Sequence, residues 1–265
     1  MIYSILKGRM CNQMFQIAAA YALAIDNDDK LLCSKNTSGD YTPTELQNAK
    51  YRTTIFKNVD FGFFDVNGQP HTDPRDQSFS PIKHTNNICL SGYYQSEKYF
   101  LHRKREIEGL FAPSGSLREL MHKKYDKLLK KPNTCSVHIR RGDYLKLQDY
   151  HYNLTKEYYD HCFDNMPKDT LYVFFSDDQQ WCKETYKHMN AVHIDTGFDV
   201  LDFYIMSNMK NNIIANSSFS WWAAWLNINE SKKVFAPKRW FGPKNAHLDT
   251  KDLIPTRWEI LDVEN

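Results

Sequence analysis

A chain of 265 residues, 42% hydrophobic and 14% aromatic, carries enough apolar material for one large domain or two smaller ones. Its 34 Lys and Arg nearly balance its 32 Asp and Glu, which argues against a nucleic-acid binder, since that class needs a strong basic excess or stripe. No apolar run approaches a membrane span and the opening residues lack a secretory signal pattern, so a cytoplasmic protein is expected.

Ile2–Leu6 reads as a buried strand opening into a loop over Gly8–Gln13, followed by an alanine-rich helix from about Met14 to Ile25. From Ser34 to Asn87 the periodicity is weak, with turn signals at Asn67-Gly68 and Asp73-Pro74, so short helices and loops are expected there. Another short apolar run ends in Gly92-Tyr93-Tyr94-Gln95. Leu117–Leu129 has helical spacing. The basic residues Lys123, Lys124, Lys130 and Lys131 read either as a solvated helix face or as a contact with a membrane surface. Lys130-Lys131-Pro132-Asn133 then reads as a linker, dividing the chain into halves at 1–132 and 133–265.

After the linker, strands and helices alternate. Strands are expected at Cys135–Ile139, Leu171–Phe175, Val192–Ile194, Asn212–Ala215 and Val234–Ala236. Helices are expected at Lys156–Phe163, Trp181–Met189, Val200–Met209 and Phe219–Leu226. Such alternation predicts an α/β fold with a parallel, doubly wound sheet and ligands at the strand carboxyl ends.

Two strand ends carry the chemistry. The run Val137-His138-Ile139 delivers Arg140-Arg141-Gly142-Asp143-Tyr144, and a guanidinium holds phosphate oxygens in a planar fork without ever losing its charge. Arg141-Gly142-Asp143 also matches a cell-adhesion tripeptide, but it follows a buried strand instead of crowning a loop. The second strand, Asn211–Ala215, leads through Asn216-Ser217-Ser218 into the aromatic Phe219–Leu226 helix. Ser and Asn ahead of an apolar run are N-cap residues, and the free N–H groups of the first turn suit an anion. Trp221, Trp222 and Trp225 read as core. The six Cys show neither metal-ligand nor disulfide spacing, and His188 and His193 lack a partner carboxylate, so free thiols and no zinc site are expected.

Together, His138–Tyr144 and Ser217–Trp222 resemble the His-x-Arg-Arg-Gly-Asp-Tyr and Ser-Ser-Phe-Ser-Trp-Trp motifs of the bacterial α-1,2-fucosyltransferase family. Gly8–Gln16 is similar to that family's Gly-x-x-Gly-Asn-Gln-x-Phe-Gln loop, which protein O-fucosyltransferases share. Phe174–Asp178 and Lys233–Pro237 match as well, so the resemblance runs end to end in order. It departs at Cys11, usually Gly, and at Asn211, where His is common.

The resemblance implies a GT-B-like architecture, two Rossmann-like halves with parallel sheets facing a central cleft, the second half binding the nucleotide sugar. It implies metal-independent, inverting transfer of L-fucose from GDP-β-L-fucose to a galactoside-terminated oligosaccharide or glycolipid in surface-glycan synthesis, with no cofactor. By the same resemblance Arg140 binds the β-phosphate, and Asp202 either accepts from the guanine edge or is a helix-surface or capping residue. His138 contacts base or ribose, and Asn12, with Gln13 beside it, positions acceptor or phosphate. Ser217, Ser218 and the Phe219 helix start complete the phosphate clamp, Arg141 either binds substrate or holds the loop, and Asp177 and Asp178 either serve the nucleotide or cap the next helix.

The general base is left open. Where the α-1,6 branch has a Glu, this chain has Gln148, so Asp143 is the first candidate, with orientation of Arg140 as its competing role, and Asp149 is the second. Gly92–Gln95 reads either as an acceptor-facing loop or as loop packing. The readings outside this class are a non-catalytic GDP-sugar or glycan binder, if Cys11 and Asn211 mark a decayed site, and the adhesion protein.

Overall fold

The computed structural model describes residues 1–36, 44–65, 70–74 and 78–262; the expected turn at Asn67-Gly68 lies outside them. They fall into two compact units, Met1–Ser114 with Leu248–Pro255, and Gly115–His247 with Thr256–Asn265.

In the first unit, strand β1 (Ile2–Ser4) leads to helix α1 (Met10–Asp26), β2 (Leu31–Ser34), α2 (Glu45–Thr53), β3 (Phe61–Gly62), β4 (Cys89–Leu90) and α3 (Lys104–Leu110). The strands are parallel and stand in the order β3-β2-β1-β4. Helix α1 starts at Met10, earlier than its alanine pattern suggests, because its own glutamines hold the incoming loop. Gln13 Nε2 donates to Gly8 O at 2.9 Å, and Gln16 pairs with both the N–H and the C=O of Lys7. Thr44 and Gln47 close a reciprocal capping box at the start of α2, a Thr-x-x-Gln signal that the pattern of residues 34–87 obscures. The chain runs from β1 outward to β3 and then returns to the other side of β1. The carboxyl ends of β1 and β4 therefore adjoin, and there Gln95 Nε2 donates to Asn12 Oδ1 at 3.1 Å.

The second unit begins with α4 (Gly115–Leu129), which the sequence alone assigns to the first half. Its buried Leu117 and Met121 form an i, i+4 stripe, and the helix packs on a later helix of this unit, α7 (Asp199–Ser207). There follow β5 (Thr134–Ile139), α5 (Lys156–Asp164), β6 (Leu171–Ser176), α6 (Gln179–Thr185) and β7 (Ala191–Ile194). The series continues with α7 (Asp199–Ser207), β8 (Asn211–Ile213), α8 (Ser218–Trp225), β9 (Val234–Pro237) and β10 (Glu259–Leu261). Among the described residues the sheet has six parallel strands in the order β10-β9-β8-β5-β6-β7. The series was expected to close at Val234–Ala236. The additional edge strand β10 has only three residues, two of them exposed, and so lacks a legible apolar pattern.

The central strand β5 is buried along its whole length. Trp221, Trp222 and Trp225 are fully buried, so α8 is a core helix whose start, and not its flank, is available for chemistry. No helix among the described residues is long and apolar enough to cross a membrane.

Candidate active site

The strand order places the site. From β5 the chain winds outward through β6 to β7, then crosses back to β8 on the other side of β5 and winds outward again. The carboxyl ends of β5 and β8 therefore diverge at a topological switch point, where open α/β sheets bind ligands. Arg140 leaves β5 and Asn216-Ser217 leaves β8 at this point.

Carboxylates on the neighbouring β6 loop orient the guanidiniums. Arg140 Nη1 lies 2.6 Å from Asp177 Oδ2, and Arg140 Nη2 lies 2.7 Å from Asp143 Oδ1. The other oxygen of Asp177 accepts the backbone N–H of Arg141 at 2.9 Å and of Gly142 at 3.1 Å. Arg141 turns away from Arg140: its Nε donates to Asp178 at 3.1 Å, and its guanidinium lies 4.1 Å from the centre of the Trp181 ring. Asp178 also caps α6 by accepting from Trp181 N. Asp177 and Asp178 thus hold the arginine loop, and Arg141 is engaged structurally. Both charged side chains of the Arg-Gly-Asp tripeptide are thus paired, Asp143 with Arg140 and Arg141 with Asp178, and only Gly142 is exposed.

Tyr144 bridges the two strand ends. Its ring centre lies 5.5 Å from the Arg140 guanidinium carbon, and its hydroxyl donates to Asn216 O at 3.1 Å. The buried Asn216 amide nitrogen donates to Tyr152 O and Trp240 O, fixing the turn before α8. Ser217 Oγ accepts from Phe219 N at 3.4 Å as the α8 cap, and the half-buried Ser218 opens the helix.

His138 is buried, with Nδ1 2.8 Å from Ser220 Oγ, a contact that ties β5 to α8. Burial, reinforced by the Arg140 charge, drives its pKa down to about 3, so the imidazole is neutral. Its ring lies 5.6 Å from that of Phe219, which meets Phe203 edge-on. Asp202, next to Phe203, is partly buried and accepts from Thr196 N at 3.2 Å; burial raises its pKa. The His138 imidazole and the Phe219 ring thus adjoin at the β5 and α8 ends, while the Asp202 carboxylate holds the Thr196 turn before α7.

Gln13 is buried and closes the Gly8 turn, while Asn12 stands half-exposed beside Gln95 in the first unit. Cys11 is buried in α1. Asn211 Oδ1 accepts from Lys233 N at 2.8 Å, a strand-edge contact away from the arginine loop. Gln148 donates to Leu145 O, and Asp149 faces Lys244 at 2.9 Å on the exposed rim.

One group at this site has no motif to announce it. The ring of His151 lies flat on that of Tyr144, with centroids 4.3 Å apart and planes 6° from parallel. It lies seven residues beyond Tyr144, and only the three-dimensional turn brings the two together.

Comparison with known proteins bears on the family and the fold. The family model described as glycosyl transferase family 11 matches residues 2–258. Among curated proteins, the chain is 30% identical over 288 residues to an Escherichia coli alpha-1,2-colitosyltransferase, covering 96% of each chain. It is 29% identical over 299 residues to the O-antigen biosynthesis glycosyltransferase WbnK of Escherichia coli, covering 95% of this chain and 98% of that one. Among solved structures, the fucosyltransferase NodZ from Bradyrhizobium superposes with a TM-score of 0.54 at 12% identity, over 84% of this chain and 92% of that one. POFUT1 in complex with GDP gives 0.51 at 12% identity, over 87% and 95%. These likenesses bear out the GT-B-like α/β fold with two parallel-sheet units. The matched residues run from β1 to Trp258 and take in the arginine loop and the α8 start, so this chain belongs to glycosyl transferase family 11.

Proposed function

We propose that this protein transfers L-fucose from GDP-β-L-fucose to a hydroxyl of a terminal galactoside, forming an α-1,2 linkage with inversion, in cytoplasmic assembly of a surface glycan such as O-antigen. The observation that carries this reading is the meeting of the Arg140 fork and the α8 start at the β5/β8 switch point. A guanidinium has five N–H donors. Asp143 and Asp177 engage one terminal nitrogen each, leaving donors for phosphate oxygens. With the Ser218 hydroxyl and the first N–H groups of α8, they would stabilise charge growing on a departing diphosphate without a metal ion. His138 and Phe219, which adjoin, and the Asp202 carboxylate would hold the guanine. The buried free thiols suit a reducing compartment.

The donor sugar has a second reading. The curated relative at 30% identity is named for colitosyl transfer, so a GDP-linked dideoxy sugar competes with GDP-fucose.

The decisive assay offers each donor with EDTA and a panel of β-galactosides, beside Arg140→Ala. An EDTA-resistant α-1,2-fucosylated product that the variant fails to make is the expected result. Product from GDP-colitose alone would replace the donor assignment. GDP affinity without product from either donor would favour a binding protein, and absence of GDP binding would overturn the proposal.

A further inference from the structure

We propose that the imidazole of His151 takes the proton of the attacking acceptor hydroxyl, an inference that rests on the transferase reading above. In an inverting displacement, the acceptor O–H bond breaks as the new bond to the sugar's anomeric carbon forms. The bond from that carbon to the diphosphate breaks, and its electron pair leaves on GDP. The released proton goes to the His151 ring nitrogen and then to solvent. A base for this step must be unprotonated, unengaged and within hydrogen-bond reach of the attacking hydroxyl, which approaches the anomeric carbon from the face opposite the departing diphosphate.

The other candidates are engaged. Asp143 is paired with Arg140, and Asp177 holds Arg140 and two backbone N–H groups. Asp178 binds Arg141 and caps α6. Asp149 is paired with Lys244, and Gln148 is an amide. His138 is buried against Ser220.

His151 differs from each of these. It is half-buried, and its ring nitrogens meet no hydrogen-bond partner among the described residues. Its plane is set by Tyr144, whose hydroxyl is anchored on Asn216 and whose ring also neighbours Arg140. The backbone holds it too: His151 N donates to Leu147 O, and the residue forms an antiparallel bridge with Phe241. Gly242 comes so close to this loop that a Cβ there would lie 2.3 Å from Gln148 O and 2.6 Å from Asp149 O. Such locking gives the fixed ring that general-base catalysis needs.

The charged groups facing His151 are Asp143 and Arg140; beyond the Phe241 bridge, Lys244 is taken up by Asp149. Burial, with the Arg140 charge, lowers its pKa and keeps the lone pair free at neutral pH, while Asp143 pulls the other way and would steady the imidazolium once formed.

The test uses the full chain with His151→Phe, which keeps a flat ring on Tyr144 but cannot accept a proton, and His151→Ala assayed with and without added imidazole. The expected result for His151→Phe is a kcat lower by roughly 10²–10⁴-fold, GDP affinity within about twofold of wild type, and loss of the acid limb of the kcat–pH profile. Imidazole is expected to restore part of the rate of His151→Ala. Wild-type kcat and an unchanged acid limb in His151→Phe would overturn the inference. So would a loss of GDP affinity matching the loss of rate, since that marks a packing role. A wild-type protein that turns over neither GDP-fucose nor GDP-colitose would instead remove the transferase reading itself.

Discussion

Asp177 holds both the Arg140 side chain and the backbone that follows it. One carboxylate oxygen lies 2.6 Å from the guanidinium, and the other accepts the backbone N–H groups of Arg141 and Gly142. Asp143 meets the Arg140 guanidinium through its carboxylate. The two carboxylates therefore differ in kind: Asp177 shapes the loop, and Asp143 trims the orientation of one side chain. Removing charge from Asp177 is expected to do the larger harm. Asp177→Asn should cost about 1–3 kcal/mol in transition-state binding, the range for hydrogen bonds to a charged group, and should weaken GDP binding as well. Asp143→Asn should cost less and leave GDP affinity close to wild type. Steady-state kinetics with calorimetric GDP titration separates the two.

Arg140→Lys keeps the positive charge and loses the fork. If the planar donors matter to the diphosphate, kcat/KM falls by about 10²–10³-fold, the scale for losing one oxyanion donor. Recovery of full activity in the lysine variant would show that charge alone suffices.

Asn211 caps the backbone of Lys233 and does not reach the arginine loop. Asn211→Ala is expected to lower stability by about 1 kcal/mol, the net worth of an ordinary hydrogen bond, and to leave kcat unchanged. Thermal unfolding and initial rates check this. A large fall in kcat would make the position part of the site after all.

His138 carries a pH signature. Its pKa falls from 6.5 in the unfolded chain to about 3 in the fold, so between those values the unfolded chain binds the extra proton. Folding stability is therefore expected to decline as pH drops from about 6.5 toward 3. Burial lowers His151 and His193 in the same direction, so their contributions share this sign. His138→Gln should flatten the Tm–pH curve over that range relative to wild type, while a curve of unchanged slope would contradict the burial of a neutral imidazole.

Much of this protein was legible from residue order because local rules act over a few positions. Apolar runs marked β5, β6 and β8, and the Ser217 cap marked the start of α8. The two motifs located the arginine loop and the serine turn, and their family pattern pointed to the nucleotide. Short elements escaped: β10 has three residues, and α2 was betrayed only by the Thr44–Gln47 box. The assignment of α4 to the second unit depended on what Met121 packs against, which no periodicity states.

The use of each carboxylate was decided only in three dimensions. In sequence Asp143 is a candidate base and Asp177 a candidate nucleotide ligand or helix cap, 34 positions apart in the chain. The β5–β6 register, with Ile139 opposite Ser176, brings both to one guanidinium. His151 is the clearest case. Nothing in its neighbours marks it, because its position comes from a turn after Tyr144 and a bridge to Phe241, 90 residues away in the chain. Sequence determines which groups are available and which strand delivers them. Tertiary packing decides which are already hydrogen-bonded, since burial and pairing at the switch point consume some donors and acceptors and leave others free.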